Sequence, residues 1–266
     1  MLQARNLAVA IDGRPIVDRV DFSARAGEVT AIVGPNGSGK STFLKALCRD
    51  LPYSGDVVLN GRNLAELKAY EVAAMRAVLP QASVLTFPFT VHEVVRMGLT
   101  TGVSGLDPRA EAMLPAEALA RVDLAGFGGR MYQSLSGGEQ QRVQLARVLC
   151  QVWQPVLDGE PRFLLLDEPV SSLDIKHQLL IMDIARDFVR QGGGVVAILH
   201  DLNLAALYAD RVMALRKGRS AAVGAPHEVR DRALGRDVFD CDLEAIERPM
   251  GGRLFAPPVP SLAVPA

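Results

Sequence analysis

No apolar run in this 266-residue chain approaches the roughly 18 residues that a bilayer-spanning helix needs; the longest, such as Val195 to Leu199 and Phe163 to Leu166, are strand-sized. Met1-Leu2-Gln3-Ala4-Arg5 carries no basic segment followed by a long apolar one, so no signal peptide is expected and the chain is expected to stay in the cytosol. An excess of one charge is also missing. Lys and Arg number 29 against 30 Asp and Glu, a formal net charge of −1, which gives no electrostatic footprint for nucleic acid or for an anionic membrane surface. Cysteine is scarce. Cys48, Cys150 and Cys241 are odd in number and show no C-x-x-C spacing, which reads as reduced packing residues rather than a disulfide framework or a zinc site. His92, His177, His200 and His227 are scattered without i,i+4 pairing, so no metal or haem ligand cluster is expected. What remains, 49% hydrophobic and 22% charged residues, is the composition of a soluble globular protein with one large core or two small ones.

The chain begins with short strands: Leu2 to Ala10, Ile16 to Ala24 and Glu28 to Val33, separated by turns at Asp12-Gly13 and Ala26-Gly27. Helical spacing follows Gly39, and Asp56 to Leu59 before Asn60-Gly61 reads as another strand and turn. A helix is expected across Leu64 to Met75, then a short buried strand at Ala77 to Leu79. From Ala82 to Gln151 the pattern is helical, in segments Val91 to Met97, Pro108 to Val122 and Gly137 to Cys150. After Pro161, strands (Arg162 to Asp167, Val195 to Leu199, Arg211 to Leu215) alternate with helices (Ile175 to Arg190, Leu202 to Ala209), which implies a parallel sheet. The expected fold is therefore α/β: residues 1–81 and 151–230 form a core with an N-terminal antiparallel β subdomain, and 82–150 an inserted helical subdomain. Residues 231–266 form a C-terminal extension that ends in a proline-rich tail from Ala256.

Gly34-Pro35-Asn36-Gly37-Ser38-Gly39-Lys40-Ser41-Thr42 fits G-x-x-x-x-G-K-S/T, between an apolar strand and a helix as that motif requires. Its glycines let backbone N–H groups curl around phosphates at a helix's positive end. Lys40 is placed to reach the β- and γ-phosphates and Ser41 to ligate Mg²⁺. Phe163-Leu164-Leu165-Leu166-Asp167-Glu168 reads as a buried strand that presents Asp167 to Mg²⁺, with Glu168 placed to orient and deprotonate an attacking water. Leu135-Ser136-Gly137-Gly138-Glu139-Gln140 opens a helix. Ser136 and Glu139 form a capping box, and the adjacent glycines expose N–H groups that suit an anion.

Together with Ser171-Ser172-Leu173-Asp174 and a lone His200 after a later strand, these motifs resemble the ATP-binding subunits of ABC transporters, from about Leu2 to Leu215. The resemblance implies a P-loop NTPase core, ATP and Mg²⁺ as cofactors, and ATP hydrolysis coupled to transport. It implies that Gln81 contacts Mg²⁺ and the γ-phosphate side, and that His200 holds the γ-phosphate. It also implies that Asp174 lies at a dimer interface and that Ser136, Gly137 and Gly138 bind the nucleotide of a second copy, making a homodimer. Two transmembrane permease subunits and, through them, a periplasmic substrate-binding protein are the implied partners, at the cytoplasmic face of the bacterial inner membrane.

The segment Leu79 to Val91 and the loop Gln151 to Pro161 are most similar to bacterial haem importer ATPases of the cobalamin and ferric-siderophore importer group. No direct haem binding is implied, because the cargo site lies in other chains. Ferric siderophore or cobalamin import by the same motor stays open. A soluble ABC ATPase outside transport is a different class, expected to carry tandem nucleotide domains or a long coiled coil, and neither is seen. One departure from the family is the stretch Val9-Ala10-Ile11-Asp12, where an aromatic residue for adenine stacking is usual and none is present. Weaker discrimination between bases is expected from it.

Overall fold

The computed structural model describes residues 1–83, 85–101, 104–229, 238–239, 244–247 and 253–256. β1 (Leu2–Ile11) and β2 (Arg14–Ala24) pair antiparallel. Asp12 and Gly13 between them both take positive φ, 49° and 74°, the backbone twist that suits a two-residue hairpin. β3 (Val29–Val33) leads into α1 (Lys40–Leu47), and β4 (Ser54–Leu59) and β5 (Arg62–Asn63) complete a four-stranded antiparallel sheet in the order β2-β1-β4-β5. Then come α2 (Ala69–Met75), β6 (Arg76–Leu79), α3 (Val91–Arg96), α4 (Pro108–Arg121) and α5 (Gly137–Gln151). A small hairpin, β7 (Val156–Leu157) and β8 (Glu160–Pro161), precedes β9 (Phe163–Asp167), α6 (Ile175–Arg190), β10 (Gly194–Ile198) and α7 (Leu202–Tyr208). β11 (Arg211–Arg216), β12 (Arg219–Gly224), β13 (Glu244–Glu247) and β14 (Arg253–Ala256) follow.

The second sheet runs β12-β11-β3-β10-β9-β6, parallel except for β12. Its inner strands are buried on both faces, and side-chain alternation divides them between two cores. Ile32, Phe163, Leu165, Val196 and Ile198 pack with α1 and the antiparallel sheet. Val29, Ala31, Val33, Leu164, Leu166, Val195 and Ala197 pack on the other face with α5, α6 and the helical segment. Register matters for function here. Leu79 lies opposite Leu166, Asp167 opposite Ile198, and Ile198 opposite Ile32, so the C-terminal ends of β6, β9, β10 and β3 lie along one edge of the sheet. The residues that leave those ends, Gln81, Glu168, His200 and Gly34, emerge along that edge, where open parallel sheets bind ligands.

Several expectations need correction. The helix expected over Leu64–Met75 is two pieces, a 3-10 turn at Leu64–Glu66 and then α2. The Asn63 side chain caps the first and Glu71 accepts the Lys68 N–H at the start of the second, so two helix starts lie within one continuous apolar spacing. The loop Gln151–Pro161 contains the β7–β8 hairpin, turned by Asp158-Gly159 at positive φ, a Asp-Gly signal present in the sequence. β12 adds an antiparallel edge strand through a Lys217-Gly218 turn of the same kind. The extension beyond residue 230 contains the β13–β14 hairpin, so Ala256 ends a strand, and the rest of the proline-rich tail lies outside the described residues. Cys48 and Cys150 are buried free thiols, with burial pushing both up to about 12; Cys241 lies outside the described residues.

Candidate functional site

The loop from Gly34 to Gly39 can form only with glycine at its close approaches. Gly34, Gly37 and Gly39 have φ of 149°, 74° and 99°. A Cβ on Gly34 would collide with the Leu215 carbonyl, and one on Gly39 would stand 2.9 Å from the Ile16 carbonyl oxygen. Pro35 is half-buried, while Asn36 and Gly37 are exposed at the tip, and Ser38 is buried with its hydroxyl unpartnered. Lys40 is buried too. Its ammonium donates to the Gly34 and Pro35 carbonyls at 2.9 and 3.0 Å, and burial lowers its pKa against the attraction of Glu168 and Asp167. Ser41 and Thr42, on the first turn of α1, are half-buried.

The Ser41 hydroxyl donates to Asp167 Oδ1 at 3.0 Å, which brings two hard oxygen donors from α1 and β9 together. Asp167 is 3% exposed, and burial raises its pKa, opposed mainly by that hydroxyl. One residue on, the chain turns sharply: Glu168 has φ 52°, a left-handed conformation that costs a non-glycine residue of order 1 kcal/mol or more. That turn swings the Glu168 carboxylate between two side chains from neighbouring strand ends. Gln81 Nε2 donates to one oxygen at 2.8 Å and His200 Nε2 lies 2.6 Å from the other. Thus Gln81, Glu168 and His200 form one cluster, and Lys40, Ser41 and Asp167 another beside it.

Ser136, Gly137 and Gly138 sit elsewhere, at the start of α5. Ser136 accepts from the Glu139 N–H at 3.3 Å while the Glu139 carboxylate accepts from the Ser136 N–H and hydroxyl at 2.8 Å each, so the expected capping box is formed. Those hydrogen bonds, the backbone one first, lower the Glu139 pKa. Ser136 and Gly137 are exposed, and nothing lies within 4 Å of a Cβ built on Gly137. Gly138 faces the Ser171–Asp174 segment, where a Cβ would stand 3.0 Å from Leu173 Cδ2. Asp174 caps α6, accepting from the His177 N–H at 2.9 Å, which with the His177 ring lowers its pKa.

Two glutamines were not singled out in the sequence. Gln141 on α5 donates to the Glu168 carbonyl at 3.1 Å, so the helical segment holds the backbone of that strained turn. Gln133 donates to the Phe87 carbonyl at 2.8 Å and so steadies the stretch after Gln81. Gln141 falls one turn into the helix that begins at Gly137, a placement the sequence shows only as helical periodicity.

The residues fit a nucleotide and its cation. The glycines let the loop pack against the Leu215 and Ile16 carbonyls at the start of α1, where Lys40 offers an ammonium for phosphate, and Ser41 with Asp167 supplies two oxygen ligands, as few as Mg²⁺ takes from protein beside phosphates and water. Among the described residues no helix is long and apolar enough to cross a membrane.

Comparison with known proteins identifies relatives over nearly the whole chain. The family profile described as ABC transporter matches residues 17–171. A hemin import ATP-binding protein, HmuV, of Mesorhizobium japonicum is 62% identical over 98% of this chain and 100% of its own length. The protein of the same description from a Chelativorans species is 57% identical over 97% of this chain and 98% of its own. Among solved structures, an inward-facing putative metal-chelate type ABC transporter superposes with a TM-score of 0.78 at 22% identity, covering 98% of each chain. A dimeric ATP-binding cassette, MJ0796, in a post-hydrolysis state with ADP and Pi superposes at 0.73 and 26% identity, covering 85% of this chain and 99% of the other.

Proposed function

This chain belongs to the ABC transporter family of ATP-binding proteins and is an ATPase, and from that premise we propose that it powers haem import through a separate permease. Full-length similarity to hemin import ATP-binding proteins supports the cargo, and the chain associates as a homodimer with permease subunits at the inner membrane, as a peripheral protein. A periplasmic binding protein delivers haem to the permease, and this chain does not touch the cargo.

The observation that carries the chemistry is the Glu168 carboxylate held between Gln81 and His200 beside the Ser41–Asp167 pair. The P-loop N–H groups and the Lys40 ammonium bind the phosphates of ATP, and Lys40 exchanges its two carbonyl partners for phosphate oxygens. Ser41, Asp167 and Gln81 would hold Mg²⁺, which would supply positive charge against the phosphates. Glu168 accepts a proton from the attacking water and orients it for in-line displacement, while His200 holds the γ-phosphate. Ser136, Gly137 and Gly138 of the second copy close over that phosphate, with Asp174 at the joint between the copies. ATP-driven closure moves the helical segment, and the stretch that follows Gln81 carries that motion to the permease.

Growth of a strain that lacks this chain tests the reading, with haem as sole iron source against inorganic iron, ferric siderophore and cobalamin-dependent growth. A defect confined to haem, rescued by wild type and not by Glu168→Gln, is expected. Normal growth on haem with a defect on another source would overturn the cargo and leave the motor.

A further inference from the structure

The Ser171–Asp174 segment is tied to the helical region by a bridge that the proposed mechanism does not use. His177, in the first turn of α6, has its Nδ1 2.8 Å from Asp174 Oδ1 and its Nε2 3.4 Å from Asp123 Oδ2. Asp174 is the N-cap of α6, whereas Asp123 follows the end of α4. One imidazole therefore joins two carboxylates from two parts of the molecule. The Asp123 end is itself anchored. The buried Arg142 of α5 donates to the Val122 and Asp123 carbonyls at 2.9 Å each, and Asp123 sits at φ 59°. A line of contacts thus runs from α5, the signature helix that the Leu135–Gln140 motif opens, through Arg142, Asp123 and His177 to Asp174.

Lys176 also reaches Asp123, at 2.7 Å, but its side chain is 73% exposed, and an ion pair so open to water contributes little. The His177 side chain is 18% exposed, which leaves it the better shielded link. A second contact spans the same joint: the Gly138 position leaves a Cβ only 3.0 Å from Leu173 Cδ2 and 3.4 Å from the Ser172 carbonyl oxygen. The start of α5 and the Ser171–Asp174 segment are therefore packed together as well as linked through Arg142, Asp123 and His177.

We propose that His177 is a positioning residue for hydrolysis: by bridging Asp123 and Asp174 it makes the Ser171–Asp174 segment move with the helical region, so that the joint between two copies closes in step with the signature helix. This rests on the reading that Asp174 lies at that joint. His177 touches no reacting atom, so its loss should slow turnover with little change in ATP affinity.

Asparagine and glutamine divide the bridge, because an Asn amide stands near the place of Nδ1 and a Gln amide near that of Nε2. His177→Asn keeps the Asp174 contact and His177→Gln the reach to Asp123. In the full chain assembled with its permease, each is expected to lower kcat about five- to twentyfold while KM for ATP stays within about twofold, with unchanged thermal unfolding. Asp123→Gly, which removes the acceptor at a position whose φ of 59° glycine adopts freely, is expected to do the same, and adding His177→Gln to it to cost nothing further. Wild-type turnover in His177→Asn, or in Asp123→Gly, would overturn the bridge and leave only a local helix cap. Asp174→Ala separates the two claims. If it too turns over as wild type, the interface reading fails; if it is impaired while His177→Asn and Asp123→Gly are not, the bridge alone fails.

Discussion

The strand-end cluster and the start of the signature helix are built in opposite ways. Along the edge of the parallel sheet the chemical groups are largely buried or paired within the chain: Lys40 with two carbonyls, Ser41 with Asp167, Glu168 with Gln81 and His200. At α5, Ser136 and Gly137 are exposed, and Ser136 bonds to Glu139 in its capping box and, through its carbonyl, to the Gln140 N–H of the same helix. The first region gathers the groups proposed to bind and hydrolyse one nucleotide. The second is an exposed helix start whose hydrogen bonds stay within α5. The difference is what the proposed function requires, in which each region is half of a site that a second copy completes.

Removing the proposed base tests the first region most severely. Glu168→Gln keeps the hydrogen-bonding shape and is expected to lower turnover about 10²- to 10⁴-fold with ATP binding retained, read by steady-state hydrolysis and by equilibrium nucleotide binding. Turnover near wild type would remove Glu168 from that role.

Glycines sharpen the contrast in stability. Gly34→Ala forces a Cβ against the Leu215 carbonyl at φ 149° and is expected to cost about 1–3 kcal/mol in denaturant unfolding. Gly137→Ala meets nothing and is expected to stay within about 0.5 kcal/mol. Equal losses would erase the distinction between a crowded core loop and an open helix start.

Asp167 gives a smaller effect with a defined pH sign. Burial raises its pKa above the unfolded value, so the native state holds this proton longer than the unfolded chain does. Stability from this group is therefore present below the unfolded pKa, is lost as pH rises through the raised native one, and the cost of the buried charge persists at neutral pH. Without nucleotide, Asp167→Asn is expected to raise Tm at pH 7 by about 2–4 °C, what roughly 1 kcal/mol is worth at this size, and the gain disappears toward acid pH. A lowered Tm at pH 7 would contradict it. Hydrolysis should be lost in the same variant.

The smallest effect concerns the base. The β1–β2 turn offers Ile11, 43% exposed, where an aromatic platform is usual, and stacking is worth about 1–3 kcal/mol per base. ATP and GTP turnover are expected to differ by less than about tenfold. A strong preference for ATP would show that other contacts read the base.

Much of this architecture was legible because strand ends carry their chemistry in sequence. Apolar runs ending in Asp167-Glu168 or followed by Gly34 mark where the chain leaves the sheet, and α6 begins and ends where its periodicity says, at Ile175 and Arg190. The grip of Gln81 and His200 on one carboxylate was not legible. It depends on the registers of β6 and β10 against β9, pairings of residues 87 apart (Leu79 with Leu166) and 31 apart (Ile198 with Asp167) in the chain. His177 was equally hidden, since as a scattered histidine it gives no sign that Asp123, 54 positions earlier, folds back to meet it. The split at Leu67-Lys68 leaves no mark in the sequence pattern because two caps interrupt a helix without interrupting its apolar spacing.

The central claim is that Ser136 to Gly138 of one copy face the P-loop of the other. Cross-linking tests it most directly, with Cys241→Ser and Glu168→Gln in both of two chains of different tag size, Asn36→Cys in one and Ser136→Cys in the other. Addition of ATP and a short bifunctional thiol reagent should yield a covalent product that contains both tags. A product that appears equally without ATP, or none between the two chains with ATP bound, would contradict the account.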